Sequence, residues 1–426
     1  MDLAEQLIEL ALKSGAEAAE VYGSRSQSYP VAFEANRLKQ LENSESEGMA
    51  LRLWRDGCPG LAVAYGEVNP QDLVDKAIAL SQLNSSETPE LTDSRTTVYP
   101  NIGEVVPVEM LVEMGKSAIA QLREANPEII CSGELDCEQE TTIFLNSKGL
   151  RCQYTDTTLS CFFGAEWVRG EDFLGIYDGQ QQRNTLDPHF VIQSILQRLT
   201  WAKENTSSPL GRVPILFTPK AVTMLWGTVA AAMNAKRVIE DSSPWSQRLG
   251  DVVVSESLTL SQKPDFGVYS CPFDDEGTPT QTLSLIHQGK LETFYCDRVT
   301  GRTLGTGTTG NGFRPGLSHY PTPDLVNLII EPGKGSLADL IQSLDNALIV
   351  DQMLGGGADI SGDFSVNVEL GYRIEKGEVV GRVKDTMLAG NVYTALKQVV
   401  ALGADLDWSG SCYTPSMIVE GLSVVG

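Results

Sequence analysis

The residues with the clearest chemical potential lie in one short acidic segment, FDDEGTPTQ. Its three adjacent carboxylates, Asp274, Asp275 and Glu276, are of the kind that holds a hard cation or acts as an acid–base pair. Gly277 follows at once, with a proline shortly after it, and both are turn-forming residues. An exposed turn is the simpler interpretation, but Asp275, Glu276 and Gly277 remain candidates for a substrate groove or chamber.

A second candidate segment is rich in glycine. Gly355, Gly356 and Gly357 precede SGDFSVNVELGY, whose alternating apolar and polar residues are typical of a strand. Glycine at such a position lets another chain approach the backbone closely. An exposed strand edge of this kind binds an extended peptide by strand addition. A plain glycine-rich turn is equally compatible with the sequence, so both interpretations stay open.

Motifs for nucleophilic or metal-dependent catalysis are sparse. The sequence has eight cysteines and three histidines, and it contains no HExxH, CxxC or GxSxG pattern. Cys412 has no histidine near it in sequence and is kept only as a candidate groove residue. GTGTTG formally matches a dinucleotide-binding fingerprint, but the NGFRPG that follows is a poor start for a helix. We therefore interpret it as a flexible loop.

A buried helix is predicted near the start of the second half of the chain. TPKAVTMLWGTVAAAMNAKR begins with a capping threonine and a proline, and its large apolar residues recur at helical spacing. The remaining faces carry small residues, among them Gly227, Thr228 and Ala232, in place of charge. A helix with small or apolar residues on every face is usually buried.

The length of 426 residues predicts two domains, and the polar segment ENTSSPLGR is the best linker. We expect an N-terminal α+β domain at residues 1–205 with a mixed α/β sheet. The C-terminal domain, residues 206–426, is expected to be dominated by antiparallel sheet, barrel-like, around the buried helix. IFLNSKGLRCQY predicts a tight turn at Asn146 to Gly149 between two strands. Hairpin turns are predicted at Gln288-Gly289 and Lys376-Gly377, and SLADLIQSLDNALIV is predicted to form one helix.

Composition limits the classes of function. A net charge of -24 and a pI of about 4.5 argue against nucleic-acid binding, which needs clusters of Lys and Arg. No apolar run approaches the roughly 20 residues that span a bilayer, so no membrane partner is expected. The N-terminus has no basic region and carries glutamates within its apolar pattern, unlike a signal peptide. We expect a cytoplasmic protein.

Several segments together resemble one family. NSKGL, DDEGTPTQ, LIHQGKLETFYCDR, TGNGFR, ADISGDFSVNVELGYRIEKGEVVGRVKDTMLAGN and TPSMIVEGLSVVG are similar to the TldD/PmbA family, also called modulator of DNA gyrase. The resemblance implies a two-domain cytosolic protein. In TldD members it implies an HExxxH zinc helix early in the C-terminal domain and a cysteine ligand near the C-terminus. TldD pairs with TldE (PmbA) into a peptidase that cuts extended or unfolded peptides.

The zinc motif of the family falls on the predicted buried helix. Its histidine, glutamate and second histidine correspond closely to Gly227, Thr228 and Ala232, none of which can ligate zinc or act as the base. Cys412 lies near the expected cysteine ligand, although the segment up to Pro415 is shorter than in TldD. The resemblance therefore implies the TldE (PmbA) type, with no metal of its own and zinc only on a TldD-type partner.

Three hypotheses for function follow. The first is a metal-free subunit that forms a heterodimer with a TldD-type metallopeptidase and helps to bind extended peptide. The second is a stand-alone homodimer that binds peptide without cutting it, suggested by the glycine-rich segment before the alternating strand. The third is a hydrolase that uses another site, either Asp275 with Glu276 or Cys412.

Overall fold

The computed structural model describes residues 3–355 and 357–426. Its N-terminal half folds mainly into long strands, covered by helices. In chain order the elements are α1 (Leu3–Lys13), β1 (Ala18–Ser28), β2 (Val31–Glu34), β3 (Arg37–Leu41), β4 (Ser44–Arg55), β5 (Cys58–Tyr65), α2 (Pro70–Ser81), β6 (Thr96–Val98), α3 (Val108–Ala125), β7 (Ile130–Asn146), β8 (Arg151–Arg169), β9 (Asp172–Gln182) and α4 (His189–Trp201).

These strands form a large, mainly antiparallel sheet. The order is β3-β2-β7-β1-β4-β5, and β7 also pairs with β8, which pairs with β9. The turn predicted between β7 and β8 is present, because the Asn146 side chain accepts hydrogen bonds from the backbone N–H groups of Lys148 (3.0 Å) and Leu150 (3.1 Å). β9 lies at the end of this sheet, and the Tyr177 N–H on it contacts the Gln352 side chain of the second half of the chain.

The C-terminal half contains shorter strands and one long buried helix. Its elements are β10 (Asn205–Thr206), β11 (Ile215–Phe217), α5 (Pro219–Met233), α6 (Ala235–Ile239), β12 (Leu260–Gln262), β13 (Leu283–His287), β14 (Lys290–Leu291), α7 (Arg298–Leu304), β15 (Gly312–Phe313), β16 (Thr322–Pro323), β17 (Leu328–Ile330), α8 (Leu337–Gln342), β18 (Asn346–Leu354), β19 (Asp363–Glu375), β20 (Glu378–Val383), β21 (Thr386–Asn391), α9 (Val392–Ala395), β22 (Val399–Leu402), β23 (Asp407–Ser409), β24 (Cys412–Thr414), β25 (Met417–Val419) and β26 (Ser423–Val425).

Two mostly antiparallel sheets dominate this half, as predicted. One has the order β10-β20-β19-β18-β11-β25-β22 with β21 and β26 attached, and the other has the order β14-β13-β12-β17-β24-β23. The α+β class is confirmed, but the barrel-like arrangement is wrong, since both sheets stay open across the described strands. The reason is α5, which packs against β11 and β18 of one sheet and β23 and β24 of the other. Its apolar side chains join both sheets in one core.

Two local predictions needed correction. The helix predicted over residues 218–237 is interrupted at Asn234, whose side chain accepts from the Lys236 N–H (2.9 Å) and starts α6. SLADLIQSLDNALIV is helical only in α8, and its second part is β18, which pairs with β11 on one side and β19 on the other. An apolar run buried between two strands reads like a helix when periodicity alone is used.

The hairpin turns were predicted correctly. Gln288 and Gly289 have φ values of 47° and 78°, and Lys376 and Gly377 have values of 50° and 79°. The two halves share apolar core contacts, because residues of β7 to β9 and α4 pack against residues of β18 and β19. The predicted boundary between residues 205 and 206 falls within β10. Across the described residues, no helix has both the length and the apolar character that crossing a bilayer requires.

Candidate functional site

A cleft of about 930 Å³ lies between the two halves of the protein. Its walls come from β7 to β9, the first turns of α5, the end of β18, part of β19 and the β23 hairpin. The lining residues are Glu134, Ser160, Cys161, Phe162, Tyr177, Asp178, Gly179, Gln180, Gln181, Lys220, Ala221, Thr223, Met224, Tyr269, Asp351, Gln352, Met353, Gly355, Gly357, Val366, Glu369, Asp407, Trp408, Ser409 and Gly410. We call this space the cleft.

Three strand edges border the cleft. β9 pairs with β8 and β23 pairs with β24, and the described residues supply neither strand with a second partner. β18 pairs with β11 only as far as Val350, because β11 ends at Phe217 and α5 begins at Pro219. The last residues of β18, 351–354, therefore have no neighbouring strand on that side within the described chain. Unpaired strand edges have backbone N–H and C=O groups that can form hydrogen bonds with a chain bound in the cleft.

Side chains hold two of these edges apart. The Tyr177 N–H of β9 donates to the Gln352 side-chain oxygen of β18 (3.2 Å). The Tyr177 carbonyl accepts from Lys220 Nζ (2.6 Å), which extends from the first turn of α5. Because side chains bridge this gap, the two backbones do not pair directly, and the cleft stays open between them.

A buried charge cluster forms the floor of the cleft. The Asp351 carboxylate is completely buried and accepts two hydrogen bonds from Arg198 Nε, at 2.9 and 3.0 Å. Lys220 Nζ lies 3.5 Å from Asp351 Oδ2 and 4.0 Å from Asp178 Oδ1. Burial alone would raise the pKa of Asp351, but the charges of Arg198 and Lys220 outweigh it and hold that pKa below its ordinary value. This carboxylate is therefore ionised and fixed in place.

Aromatic rings form the outer walls. Phe162 and Tyr177 stack with their ring centres 6.2 Å apart, and Tyr269 and Trp408 lie 5.1 Å apart on the other side. The Trp408 ring packs directly over Gly267, where a Cβ atom would lie 2.4 Å from the ring. The cleft thus offers flat apolar surfaces beside its polar floor, as pockets for organic ligands commonly do.

The acidic segment lies away from the cleft, in a turn between the two halves of the protein. We call residues 274–277 the acidic turn. The buried carboxylate of Asp274 accepts from the backbone N–H groups of Glu276 (3.0 Å), Thr278 (2.8 Å) and Gly312 (2.9 Å). Gly277 has φ of 72°, and a Cβ there would lie 2.5 Å from the Leu150 side chain. The turn is therefore buried, whereas the sequence suggested an exposed one.

The other two carboxylates of the acidic turn also have partners. Asp275 accepts from the Arg314 N–H (2.7 Å), and Glu276 accepts from the Arg298 N–H (3.0 Å). Burial raises the pKa of Asp275 to about 6. Burial, and then the neighbouring charge of Asp274, raise the pKa of Glu276 to about 8. These contacts link the acidic turn to surrounding loops, and none of its residues lines the cleft.

The glycine-rich segment does border the cleft. Gly355 and Gly357 line it, and both are exposed. Gly355 has φ of 121°, a conformation that favours glycine, and nothing lies within 4 Å of its Cβ position. Gly356 falls outside the described residues.

The positions that correspond to the zinc motif lie on α5, as expected. Gly227 faces open space, with nothing within 4 Å of its Cβ position. The Thr228 hydroxyl donates to the Ala358 carbonyl (3.4 Å), and Ala232 is completely buried in the apolar core. Together they offer one hydroxyl and no nitrogen or carboxylate donor, so they do not fit a zinc ion, which binds thiolate, imidazole or carboxylate.

Cys412 lies close to this helix, as the sequence predicted. It belongs to the same apolar core as α5, and the Trp226 ring nitrogen donates to the Thr414 hydroxyl on β24 (2.8 Å). Burial raises the pKa of the Cys412 thiol well above its ordinary value. Among residues 3–355 and 357–426, no group of three His, Cys, Asp or Glu side chains is arranged to hold a metal ion.

Sequence reasoning missed the charged residues of the cleft. Arg198, Lys220, Asp351 and Asp407 are far apart in the chain and meet only through folding. Asp351 gave the one usable signal, since it is a charged residue inside the apolar run NALIVDQML. That run was predicted as part of a helix, which concealed the position of the aspartate at the end of a buried strand.

Comparison with known proteins gives consistent matches. A family described as the PmbA/TldA metallopeptidase C-terminal domain matches residues 210–426, which is half of the chain. A second, described as PmbA/TldA metallopeptidase domain 1, matches residues 19–81. Among curated relatives, a "Metalloprotease PmbA homolog" of Haemophilus influenzae is 24% identical over 98% of this chain and 94% of its own length.

Solved structures match over the full length. TldE from Thermococcus kodakarensis superposes with a TM-score of 0.92 at 25% identity, covering 100% of both chains. A putative modulator of a DNA gyrase from Thermotoga maritima shares the fold, with a TM-score of 0.88 at 23% identity and 99% of each chain covered. The resemblance drawn from the sequence segments is confirmed. This chain belongs to the PmbA/TldD family of metallopeptidase homologues.

Proposed function

We propose that this chain is the metal-free, TldE/PmbA-like subunit of a TldD/TldE-type metallopeptidase complex in the cytoplasm. The supporting observation is the combination of full-length likeness to a TldE structure with an α5 helix that has no zinc donors at Gly227, Thr228 and Ala232. In this proposal a TldD-type partner carries the zinc and the hydrolytic chemistry. This chain contributes surface that binds extended or unfolded peptide.

The cleft supports the peptide-binding part of the proposal. Its bordering strand edges, including residues 351–354 of β18, have backbone groups that an extended peptide can pair with by strand addition. Lys220 and Gln352 hold the opposite walls apart by the width of a side-chain bridge. Exposed Gly355 and Gly357 leave the end of β18 without side-chain obstruction.

The direct test is recovery of the partner. Tagged chain is isolated from its native cells under conditions that preserve complexes, and the co-purified proteins are identified by mass spectrometry. We expect a family member with an intact HExxxH motif in a stoichiometric amount. A matched sample with an unrelated tagged acidic protein controls for non-specific capture. Recovery of no such partner would contradict the subunit proposal.

A second candidate is a stand-alone homodimer that binds peptide without cutting it. The observation in its favour is the exposed, glycine-rich end of β18 at the cleft, where Gly355 and Gly357 leave the backbone accessible to an extended peptide. Sedimentation equilibrium of the purified chain, with and without a TldD-type protein, separates the two candidates. A stable homodimer that does not exchange with the added protein favours this second function, and a mixed complex favours the first.

A further inference from the structure

The charged side chains that line the cleft are mostly acidic. Its lining includes five carboxylates, from Glu134, Asp178, Asp351, Glu369 and Asp407, and a single basic side chain, Lys220. The whole chain has 56 acidic and 32 Lys and Arg residues, so the cleft is more acidic than the protein as a whole. Concave surfaces of one sign concentrate the field and attract ligands of the opposite sign.

Two of these carboxylates are already neutralised inside the protein. Asp351 pairs with Arg198 and Lys220, and Asp178 lies 4.0 Å from Lys220. Glu134, Glu369 and Asp407 differ, since within the described parts of the chain none of them has an ion pair. We call these three the cleft acids. Asp407 has one close hydrogen-bond donor, the N–H of the next residue, Trp408 (2.8 Å).

We infer that the cleft selects extended peptides that carry lysine or arginine side chains, an inference that rests on the proposed peptide-binding function. A cationic side chain entering beside β23 meets the Asp407 carboxylate that lacks an internal counter-ion. The rings of Trp408 and Tyr269, 5.1 Å apart, also line the cleft. A cation over an aromatic face is attracted by the ring quadrupole, so the charge and the rings favour the same ligand.

Strand pairing makes this selection possible without a fixed sequence. Backbone groups at the end of β18 bind any extended peptide, while side chains that alternate along a bound strand point to opposite walls. Lys220 already contacts the Tyr177 carbonyl and Asp351, and its positive charge repels a second cation at the floor of the cleft. The cleft acids therefore form the subsite for a cationic side chain. Acidic peptides are repelled by the same groups.

The test uses the full chain and three unstructured fluorescent peptides of equal length, acetylated and amidated. They are identical except that two central positions are Lys, Gln or Glu. Fluorescence anisotropy at physiological ionic strength should rank the affinities Lys above Gln above Glu. In the triple variant Glu134→Gln, Glu369→Gln, Asp407→Asn, the Lys-to-Gln affinity ratio should fall by about tenfold, the sum of three modest ion-pair effects.

A charge-matched variant controls for the overall negative charge. Glu124→Gln, Glu256→Gln, Glu331→Gln removes three exposed glutamates outside the cleft and should keep the ratio of the unchanged chain. A Lys peptide with a free N-terminus shows whether a terminal amine substitutes for a side chain. Equal affinity for the Lys, Gln and Glu peptides overturns the cationic selection while leaving peptide binding intact. Binding of none of them, by the chain or by its complex with a TldD-type partner, overturns the proposed peptide-binding function itself.

Discussion

Both the acidic turn and the cleft contain carboxylates, but those of the acidic turn are buried and those of the cleft face open space. In the acidic turn, Asp274 accepts three backbone N–H hydrogen bonds and Glu276 lies beside Arg298, all out of contact with bulk water. In the cleft, Glu134, Glu369 and Asp407 face an open space of about 930 Å³, and the described chain gives them no ion pair.

The difference shows that clusters of acid in a sequence do not identify a ligand site. A buried carboxylate persists only when the fold supplies its hydrogen bonds, so it stabilises the structure and has little capacity left for a ligand. An acid facing open space keeps that capacity. The carboxylates of the contiguous DDE segment are buried in this way. The acids that face the cleft come from positions scattered over the chain.

The largest expected effect comes from removing the acceptor in the acidic turn. Asp274→Ala leaves the N–H groups of Glu276, Thr278 and Gly312 without their partner, and we expect the free energy of unfolding to fall by about 4 kcal/mol. Urea denaturation measures it. Asp407→Ala is the matched control in the cleft, with an expected loss below about 1 kcal/mol. Equal losses at the two sites would remove the distinction between the regions.

Glycines give a second contrast between the same regions. Gly277→Ala forces a Cβ to within 2.5 Å of Leu150 at a positive φ, and we expect a loss of about 3 kcal/mol in unfolding free energy. Gly355 also has a positive φ but open space around it, so Gly355→Ala should cost about 1 kcal/mol, from the backbone alone. Thermal denaturation of both variants tests the order. A larger loss at Gly355 would show that the cleft margin is packed more tightly than the structure indicates.

The pH dependence of stability should also report on the acidic turn. Burial and Asp274 raise the pKa of Glu276 to about 8, above its value in the unfolded chain, so the folded state holds a proton that the unfolded state releases. The associated stability is present in full below about pH 4.5 and is lost as the pH rises through 8. In the Glu276→Gln variant, the free energy of unfolding should therefore decrease less steeply between pH 5 and 8, by about 1 kcal/mol per pH unit. An unchanged slope would mean that Glu276 is ionised throughout this range.

The smallest effect is expected for peptide binding as a function of pH. The cleft walls limit the hydration of Asp407, and this effect together with the charge of Asp178 raises its pKa to about 6. The charges of Arg198 and Lys220 lower that pKa but do not outweigh the increase. Protonation below pH 6 removes its attraction for a cation, so affinity for the Lys peptide should drop about threefold from pH 7.5 to 5.5. Lysine itself stays charged over this range. Asp407→Asn should reduce the drop, and an identical drop in that variant would assign it to other groups.

Local signals in the sequence predicted much of the fold. The Asn146 turn and the turns at Gln288-Gly289 and Lys376-Gly377 depend on residues that tolerate a positive φ or cap their own backbone, so neighbouring residues determine them. The small residues of α5 indicated a buried helix, and the family resemblance implied that Cys412 lies near it; the structure places both in one apolar core. The family resemblance also came from contiguous segments.

Long-range contacts explain what the sequence could not show. β18 was predicted as helix because its burial comes from β11 and β19, which are distant in the chain. Asp407 appeared unremarkable because its neighbours in the cleft, Asp178 and Lys220, lie far from it in sequence. The acidic turn looked exposed because the groups that bury it, including Leu150, come from the other half of the protein.

Under the proposed function, this chain binds peptide but needs a TldD-type partner for cleavage. The most direct measurement is the rate of hydrolysis of one unstructured peptide by the chain alone, by the partner alone and by the pair, with zinc present at equal concentration. We predict no cleavage by the chain alone, and cleavage by the pair that a chelator abolishes. Hydrolysis by the isolated chain at a rate similar to that of the pair would contradict the account.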